Sequence, residues 1–357
     1  MNIVVLAGGL SPERDVSLSS GCMIANALME NGHKVLLADI YMGLRSADNF
    51  AGAYEKYKKD FYEYRIPEYE PDLEHIKRLR NDEYPDWQNR RHDELIGEGI
   101  LPVCADADIT FNALHGSIGE NGQVPAVFDV YGIKYTGTGY EGCFLSMDKA
   151  LAKDVMRIHG INTPDWQVIE INGNGCAGQL KNIKYPCVVK PCGCGSSVGV
   201  TMVDDSDGLD AAVKYARRYE DRIIIEPKIT GREFSVGVLG DVALPPIEII
   251  PKEGFFDYKN KYQPGATLEV CPANNLSREA DELMRSVTLQ VHKLLRLGDY
   301  SRLDAILDDE GRMYCLEINT LPGMTPNSLL PKEAAADGIA YTRLCERIVE
   351  LALERYS

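Results

Sequence analysis

Two short segments near the C-terminus set acids, an amide and a guanidinium at strand spacing. They read Tyr300-Ser301-Arg302-Leu303-Asp304-Ala305-Ile306-Leu307 and Met313-Tyr314-Cys315-Leu316-Glu317-Ile318-Asn319, joined by Asp308-Asp309-Glu310-Gly311-Arg312. Side chains alternate across a strand, so Arg302 shares a face with Asp304, and Glu317 with Asn319. A two-residue hairpin loop at Glu310-Gly311 pairs Asp309 with Arg312. Counting back sets Asp304 opposite Glu317 and Arg302 opposite Asn319. A slip of one residue sends the two polar pairs to opposite faces. In this register three oxygen-bearing side chains and a guanidinium form one patch, suited to Mg²⁺ and to phosphate. Leu303, Ala305, Leu307, Leu316 and Ile318 fall on the opposite face, as core.

A second cluster suits phosphate as well. Cys187-Val188-Val189-Lys190 ends a strand in a lysine, and Pro191-Cys192-Gly193-Cys194-Gly195-Ser196-Ser197-Val198-Gly199 follows. Glycines let backbone N–H groups approach a phosphate, and the hydroxyls of Ser196 and Ser197 add donors. The chain has no Gly-Lys-Ser/Thr, so this is not a Walker A loop. The plain alternative is a flexible hairpin between Val189 and Val200. Cys192 and Cys194 lack CxxC spacing and an accompanying His/Cys cluster, which argues against a metal there.

Two Gly-x-Gly-x-x-Gly matches compete with this reading. Gly137-Thr138-Gly139-Tyr140-Glu141-Gly142 follows a strand and precedes a helix, as a dinucleotide fingerprint does. It comes late in its domain, and dinucleotide binding predicts none of the acidic hairpin downstream. The match at 173–178 leaves little room for a helix before Pro186. Near the N-terminus, Ser11-Pro12-Glu13-Arg14-Asp15-Val16-Ser17 joins the first strand to the first helix, where open α/β sheets bind ligands. Ser11 or Asp15 caps that helix, and Glu13 is a surface charge or a ligand for an amino group. His115, in Leu114-His115-Gly116, ends a further strand and is either structural or a second member of a site. Phe255-Phe256-Asp257-Tyr258-Lys259-Asn260-Lys261-Tyr262 stands in a long irregular segment, 251–275. Loops of that length are commonly lids; hydrophobic docking by Phe255 and Phe256 is the alternative.

These residues need a scaffold larger than one core. The chain has 357 residues, enough for two or three domains. Its net charge of −16, from 54 acidic and 38 basic residues, disfavours nucleic acid or an anionic membrane as the main partner. No apolar run reaches transmembrane length. The first residues enter a buried-strand pattern without a basic leader, so no signal peptide is expected. The ten cysteines then read as reduced thiols of a cytoplasmic protein. Residues 1–40 read strand, helix, strand, the opening of a parallel sheet. Residues 41–107 turn rich in Tyr and charged residues and read as an insertion of solvated helices packed on the first domain; a partner surface is the alternative. From Trp166 onward, short strands alternate with helices up to a final helix at 341–355.

Taken together, these residues resemble the D-alanine–D-alanine ligase family of ATP-grasp enzymes. The likeness covers 1–40 and 108–357 and rests on five ordered blocks: 11–21, 114–122 with 146–149, 190–199, 255–262 and 302–331. It implies an α/β, three-domain ATP-grasp architecture. An N-terminal open parallel sheet would occupy 1–138 with the insertion 41–107. A small central α+β domain would occupy 139–226, and a C-terminal mixed-sheet domain 227–357 with the lid loop 251–275.

The resemblance also implies roles. Lys149, Lys190, Ser197 and Lys261 would meet the ATP phosphates, Glu226 and Ile229 the adenine, and Glu233 the ribose. Asp304, Glu317 and Asn319 would hold two Mg²⁺ ions, with Mn²⁺ as a substitute. One D-alanine carboxylate would attack the γ-phosphate, giving an acyl phosphate, and the amine of a second would then attack the acyl carbon as phosphate leaves. Glu13 would bind the first ammonium, and Ser196 and Tyr262 would join it in a network that closes the site. Arg302 and the backbone N–H of Gly323 would stabilise the oxyanion. His115 would contact substrate, Ser328 the second carboxylate, and Leu329 would line the pocket for its side chain. Cys192, Cys194 and Pro227 depart from the family's habit, and 41–107 is longer than its usual counterpart. Tyr262 disfavours D-lactate as second substrate, and Leu329, where D-serine users carry arginine, disfavours D-serine. The resemblance thus implies D-alanine at both positions, a role in peptidoglycan precursor synthesis and a homodimer. The rivals are a ligase using D-serine or D-lactate, and a noncatalytic module that binds ATP or an amino acid.

Overall fold

The structure is a computed structural model that describes residues 1–67, 71–83, 94–171, 182–195, 198–251 and 267–357. Its elements begin with β1 (Asn2–Ala7), α1 (Arg14–Glu30), β2 (Lys34–Asp39), α2 (Phe50–Tyr57), α3 (Leu73–Glu83), α4 (Ile100–Asp106) and β3 (Ile109–Asn112). There follow α5 (Ser117–Glu120), α6 (Gln123–Tyr131), α7 (Tyr140–Met147), α8 (Lys149–Ile158), β4 (Gln167–Glu170), β5 (Cys187–Pro191), β6 (Thr201–Val203), α9 (Ser206–Ala216) and β7 (Arg222–Pro227). The remainder is β8 (Arg232–Leu239), β9 (Val242–Ala243), β10 (Ile247–Pro251), β11 (Thr267–Val270), α10 (Arg278–Leu294), β12 (Tyr300–Leu307), β13 (Met313–Asn319), α11 (Leu329–Ala336) and α12 (Tyr341–Glu354). Two compact units result: 1–140 with 298–300 and 320–357, and 141–297 with 301–319.

The first unit carries the expected parallel sheet, in the order β2-β1-β3. Ile3, Val4, Val5 and Leu6 are buried without alternation, because helices cover both faces of a parallel strand. Gly21 lets α1 lie close to this sheet: a Cβ there would sit 2.6 Å from that of Ala7. The strand expected just before Gly137 reduces to a single bridge between Thr110 and Tyr135, since Gly137 turns the chain away at a φ of +96°. The segment 41–107 packs on this unit, and its tyrosines are partly internal. Tyr62 is buried, and buried Arg80 lies 4.0 Å over the Tyr41 ring while donating to the carbonyls of Tyr41 and Glu94.

The second unit holds two sheets. A four-stranded antiparallel sheet runs β4-β7-β5-β6, and α9 covers one face with Ala212, Val213 and Ala216. A six-stranded sheet runs β11-β10-β8-β12-β13, with β9 beside β8. Its core joins Phe234, Leu303 and Ala305 to Met156 of α8 and to Met284 and Val291 of α10.

Asp304 pairs with Glu317 and Arg302 with Asn319, the expected register, by an unexpected route. The hairpin loop holds three residues, 309–311, closed by Asp308 N–H donating to the Arg312 carbonyl at 3.0 Å, and Gly311 takes a φ of +76°. Ala305 then pairs with Cys315, so Leu316 is the extra residue of a β-bulge that restores the count. Leu316 accordingly leaves the core face assigned to it. Met313 and Cys315 fill that face, and Leu316 lines a cleft.

Replacing Gly21 by valine would force α1 off the sheet. The expected loss is about 1–3 kcal/mol, read as a lower urea midpoint; an unchanged midpoint would contradict the close packing.

Candidate active site

Between the two sheets of the second unit lies a cleft of about 500 Å³, within the range of small-molecule sites. Lys149, Lys190 and Glu226 line it together with Glu233, Asp304 and Glu317. The acids and cations pair off. Glu226 is buried, with one oxygen 2.9 Å from Lys190 Nζ and the other 2.9 Å from Lys153 Nζ. Burial alone would raise the Glu226 carboxyl, but Lys190 and Lys153 outweigh it and hold it below its ordinary value. Lys149 donates to the Cys194 carbonyl at 2.6 Å and lies 3.5 Å from Glu317. Burial presses its ammonium down, yet Glu317 prevails and holds it above the usual lysine value. Arg302 grips Asp304 with two hydrogen bonds of 2.8 and 2.7 Å, and Asn319 and Ser235 donate to the same carboxylate.

Like charges directly opposite on paired strands repel. Arg302 and Lys149 supply the compensation that lets Asp304 and Glu317 face each other. Among the described residues no group of three or more His, Cys, Asp and Glu gathers as a metal cage. The Asn319 amide would be the third oxygen donor, and two carboxylates with an amide are hard oxygen donors that fit Mg²⁺.

The first unit assembles other expected residues. Glu13 is buried and itself occupies the N-cap of α1, without a side-chain cap bond, so neither Ser11 nor Asp15 caps that helix. Ser11 Oγ instead accepts from the Glu13 N–H at 3.2 Å and donates to the His115 carbonyl at 2.9 Å. Asp15 accepts from the Tyr64 hydroxyl. Gly116 lies against Glu13: a Cβ would meet its carboxylate at 2.4 Å, and φ is +66°. His115 Nδ1 lies 3.0 Å from the Leu321 carbonyl and Nε2 3.2 Å from Ser20 Oγ. The Leu321 carbonyl can only accept, so Nδ1 carries a proton. His115 therefore ties the end of β3 to the loop carrying Gly323 and Ser328. In that loop Ser328 Oγ lies 2.8 Å from Thr325 Oγ1, and Leu329 is buried at the start of α11.

Profiles described as D-ala D-ala ligase N-terminus and D-ala D-ala ligase C-terminus match residues 2–138 and 155–350. The D-alanine–D-alanine ligase of Pediococcus pentosaceus is 41% identical over 352 residues, which cover 98% of this chain and 97% of that one. The enzyme of that name from Lacticaseibacillus casei is 37% identical over 357 residues, 100% of this chain and 97% of that one.

The chain belongs to the D-alanine–D-alanine ligase family.

Its fold matches a crystal structure of the D-alanine–D-alanine ligase from Bacillus anthracis with a TM-score of 0.72 and 28% identity, over 99% of this chain and 98% of that one. The same enzyme complexed with ATP matches with a TM-score of 0.73, the same identity and the same coverage. The architecture is accordingly the family's ATP-grasp fold.

Several of the family positions fall outside the described residues: Ser196, Ser197, Lys261 and Tyr262, with most of the lid segment and the glycine match at 173–178. Ile229 and Glu233 line the cleft. Lys153 was missed. Its signal was legible as a lysine one turn after Lys149, on the face where α8 buries Ala152 and Met156. The bidentate Arg232–Glu248 pair at the cleft wall carried no motif at all. Cys192 packs with Ala150 and Ile224 while Cys194 lines the cleft, so the two thiols do not form a metal pair. Burial pushes the Cys192 thiol up to about 12.

The glycine match at 137–142 is not a phosphate cradle in this ligase fold. Gly137 N–H donates to Asp299 at 2.7 Å, and a Cβ on Gly298 would lie 2.1 Å from the Gly137 carbonyl oxygen. Glycine is needed there for two backbones to cross. Burial raises the Asp299 carboxyl to about 6, with Arg355 and the Gly137 N–H opposing. A raised acid stabilises the fold in its protonated form, so this contribution is complete below about pH 4 and is lost as pH rises through the folded value. Asp299→Asn, which cannot ionise, should therefore gain on the wild type between about pH 4 and 7, by about 1–3 kcal/mol. Melting temperatures across that range check it; a difference that does not grow with pH refutes it.

Proposed function

We propose that the protein joins two D-alanine molecules into D-alanyl-D-alanine at the expense of ATP, through an acyl phosphate, for peptidoglycan precursor synthesis. The facing pair Asp304 and Glu317, in one cleft with Lys149, Lys190 and Glu226, carries this reading, because it gives a family member the charge pattern that phosphoryl transfer needs. Every expected position among the described residues keeps its functional side chain, which disfavours a noncatalytic module.

The residues divide the work. Lys149 and Lys190 contact the ATP phosphates as charged donors, and the family pattern assigns Ser197 and Lys261 the same role. Glu226 and Ile229 recognise the base and Glu233 the ribose. Asp304, Glu317 and Asn319 would hold two Mg²⁺ ions, or Mn²⁺ in their place; the metal supplies neutralisation of phosphate charge when bound. Arg302, held flat by Asp304, and the Gly323 N–H donate to the oxyanion formed when the second amine attacks. Glu13 binds the ammonium of the first D-alanine, and the family pattern assigns Ser196 and Tyr262 to the same task. His115 acts by positioning the loop of Ser328, which takes the second carboxylate. Leu329 offers that substrate's side chain an apolar wall, which favours a methyl group over D-serine.

We assign three domains, 1–138 with the insertion 41–107, 139–226 and 227–357, a homodimer and a cytoplasmic location. Among the described residues no helix is long and apolar enough to cross a membrane, and the net charge of −16 offers no footprint for nucleic acid.

Glu317→Gln keeps the shape but removes one carboxylate. ADP release should fall about 10²–10³-fold with the melting temperature nearly unchanged; undiminished turnover refutes the assignment. A product assay offering D-alanine, D-serine and D-lactate separately as second substrate should yield chiefly D-alanyl-D-alanine. A preference for D-lactate at neutral pH overturns the substrate reading, and turnover that survives chelation of divalent cations overturns the metal reading.

A further inference from the structure

Lys153 has no part in the chemistry above, and its surroundings are unusual for a lysine. It is fully buried on α8. Its ammonium lies 2.9 Å from one Glu226 oxygen and donates to Thr163 Oγ1, which in turn donates to the Cys315 carbonyl at 2.8 Å. The other Glu226 oxygen holds Lys190 at the same 2.9 Å. Glu226 thus bridges two ammonium groups of different standing: Lys190 lines the cleft, and Lys153 lies behind it.

A buried carboxylate with one cation cannot give that cation up cheaply. Were Lys190 the sole partner of Glu226, moving toward a phosphate would strand the carboxylate in a low dielectric. We propose that Lys153 is the fixed counter-charge of Glu226, and that it frees Lys190 to bind a nucleotide phosphate. Lys153 is then a positioning residue, acting on the nucleotide only through Glu226 and Lys190. The inference rests on the ATP-dependent reading, since it takes Lys190 as a phosphate ligand.

The groups facing Lys153 are Glu226 on β7, Lys190 on β5, Cys315 on β13, and Thr163 and the Trp166 ring, the last at 5.7 Å. Burial lowers its ammonium to about 8 against the pull of Glu226, and Lys190 pushes the same way as burial. When Lys190 turns to a phosphate its repulsion weakens, and Lys153 holds its proton more tightly. ATP binding then takes up a proton where Lys153 is partly neutral, at about pH 8.5.

The test is calorimetric titration with ATP and with inorganic triphosphate, in two buffers of different ionisation enthalpy, of the wild type, Lys153→Met, Lys153→Arg and the double variant Lys153→Met/Glu226→Gln. Lys153→Met should bind ATP roughly tenfold more weakly or worse. Toward inorganic triphosphate, which lacks the base that residue 226 also recognises, the double variant should bind more tightly than Lys153→Met, because a neutral residue 226 no longer retains Lys190. The wild type should take up a proton at about pH 8.5, and Lys153→Arg should not. Lys153→Met binding as well as wild type overturns the proposal, as does a double variant no tighter than the single one toward triphosphate, which marks Lys153 as merely structural. Should Lys153→Met not fold, proton uptake by the wild type decides, and its absence is the overturning result. A wild type that binds no ATP overturns the ligase reading beneath it, so the two failures are told apart.

Discussion

Glu226 keeps a charge where there is almost no water, and it can do so only between Lys153 and Lys190. Removing one partner of such a buried pair costs about 3–5 kcal/mol. That constraint fixes more than one side chain. It holds α8, which carries Lys153, against β5 and β7, which carry Lys190 and Glu226. Lys149, one turn earlier on the same helix, reaches Glu317 on β13. One short helix thus registers the four-stranded sheet against the acidic hairpin, and the cleft is the space between them.

The hairpin shows how a site tolerates a shift in the pairing of its strands. A three-residue loop shifts the pairing by one position, and the bulge at Leu316 shifts it back. The acidic pair meets as it must, because repulsion between Asp304 and Glu317 is tolerable only where Arg302 and Lys149 both reach them. The bulge has a second effect. It turns Leu316 into the cleft, which Ile306 also lines, giving the charged floor an apolar margin.

In the first unit, glycines and polar turn residues do the positioning. Gly116 makes room for the Glu13 carboxylate, and Ser11 and His115 lace that turn to the end of β3 and to the loop of Ser328. Gly137 and Gly298 instead permit a crossing of two backbones. Glycine spacing is the same kind of signal in each case. What separates them is the partner that approaches, and that partner lies more than a hundred residues away along the chain.

Local pattern determined a good deal by itself. The apolar runs of β1 and β2, the helical spacing of α1 and α10, and the alternation that puts Arg302 with Asp304 depend on neighbours a few residues apart, so the sequence carries them directly. The order of five polar blocks also sufficed to place the chain in its family. Tertiary structure alone decided where each charge ends. The ion pairs of Lys153 and Lys149 and the crossing at Gly137 join residues distant in sequence, while the bulge at Leu316 and the Arg232 pair depend on contacts between neighbouring strands. Burial, not residue type, sets their energies: a lysine becomes a structural counter-charge only once the fold has removed the water around it.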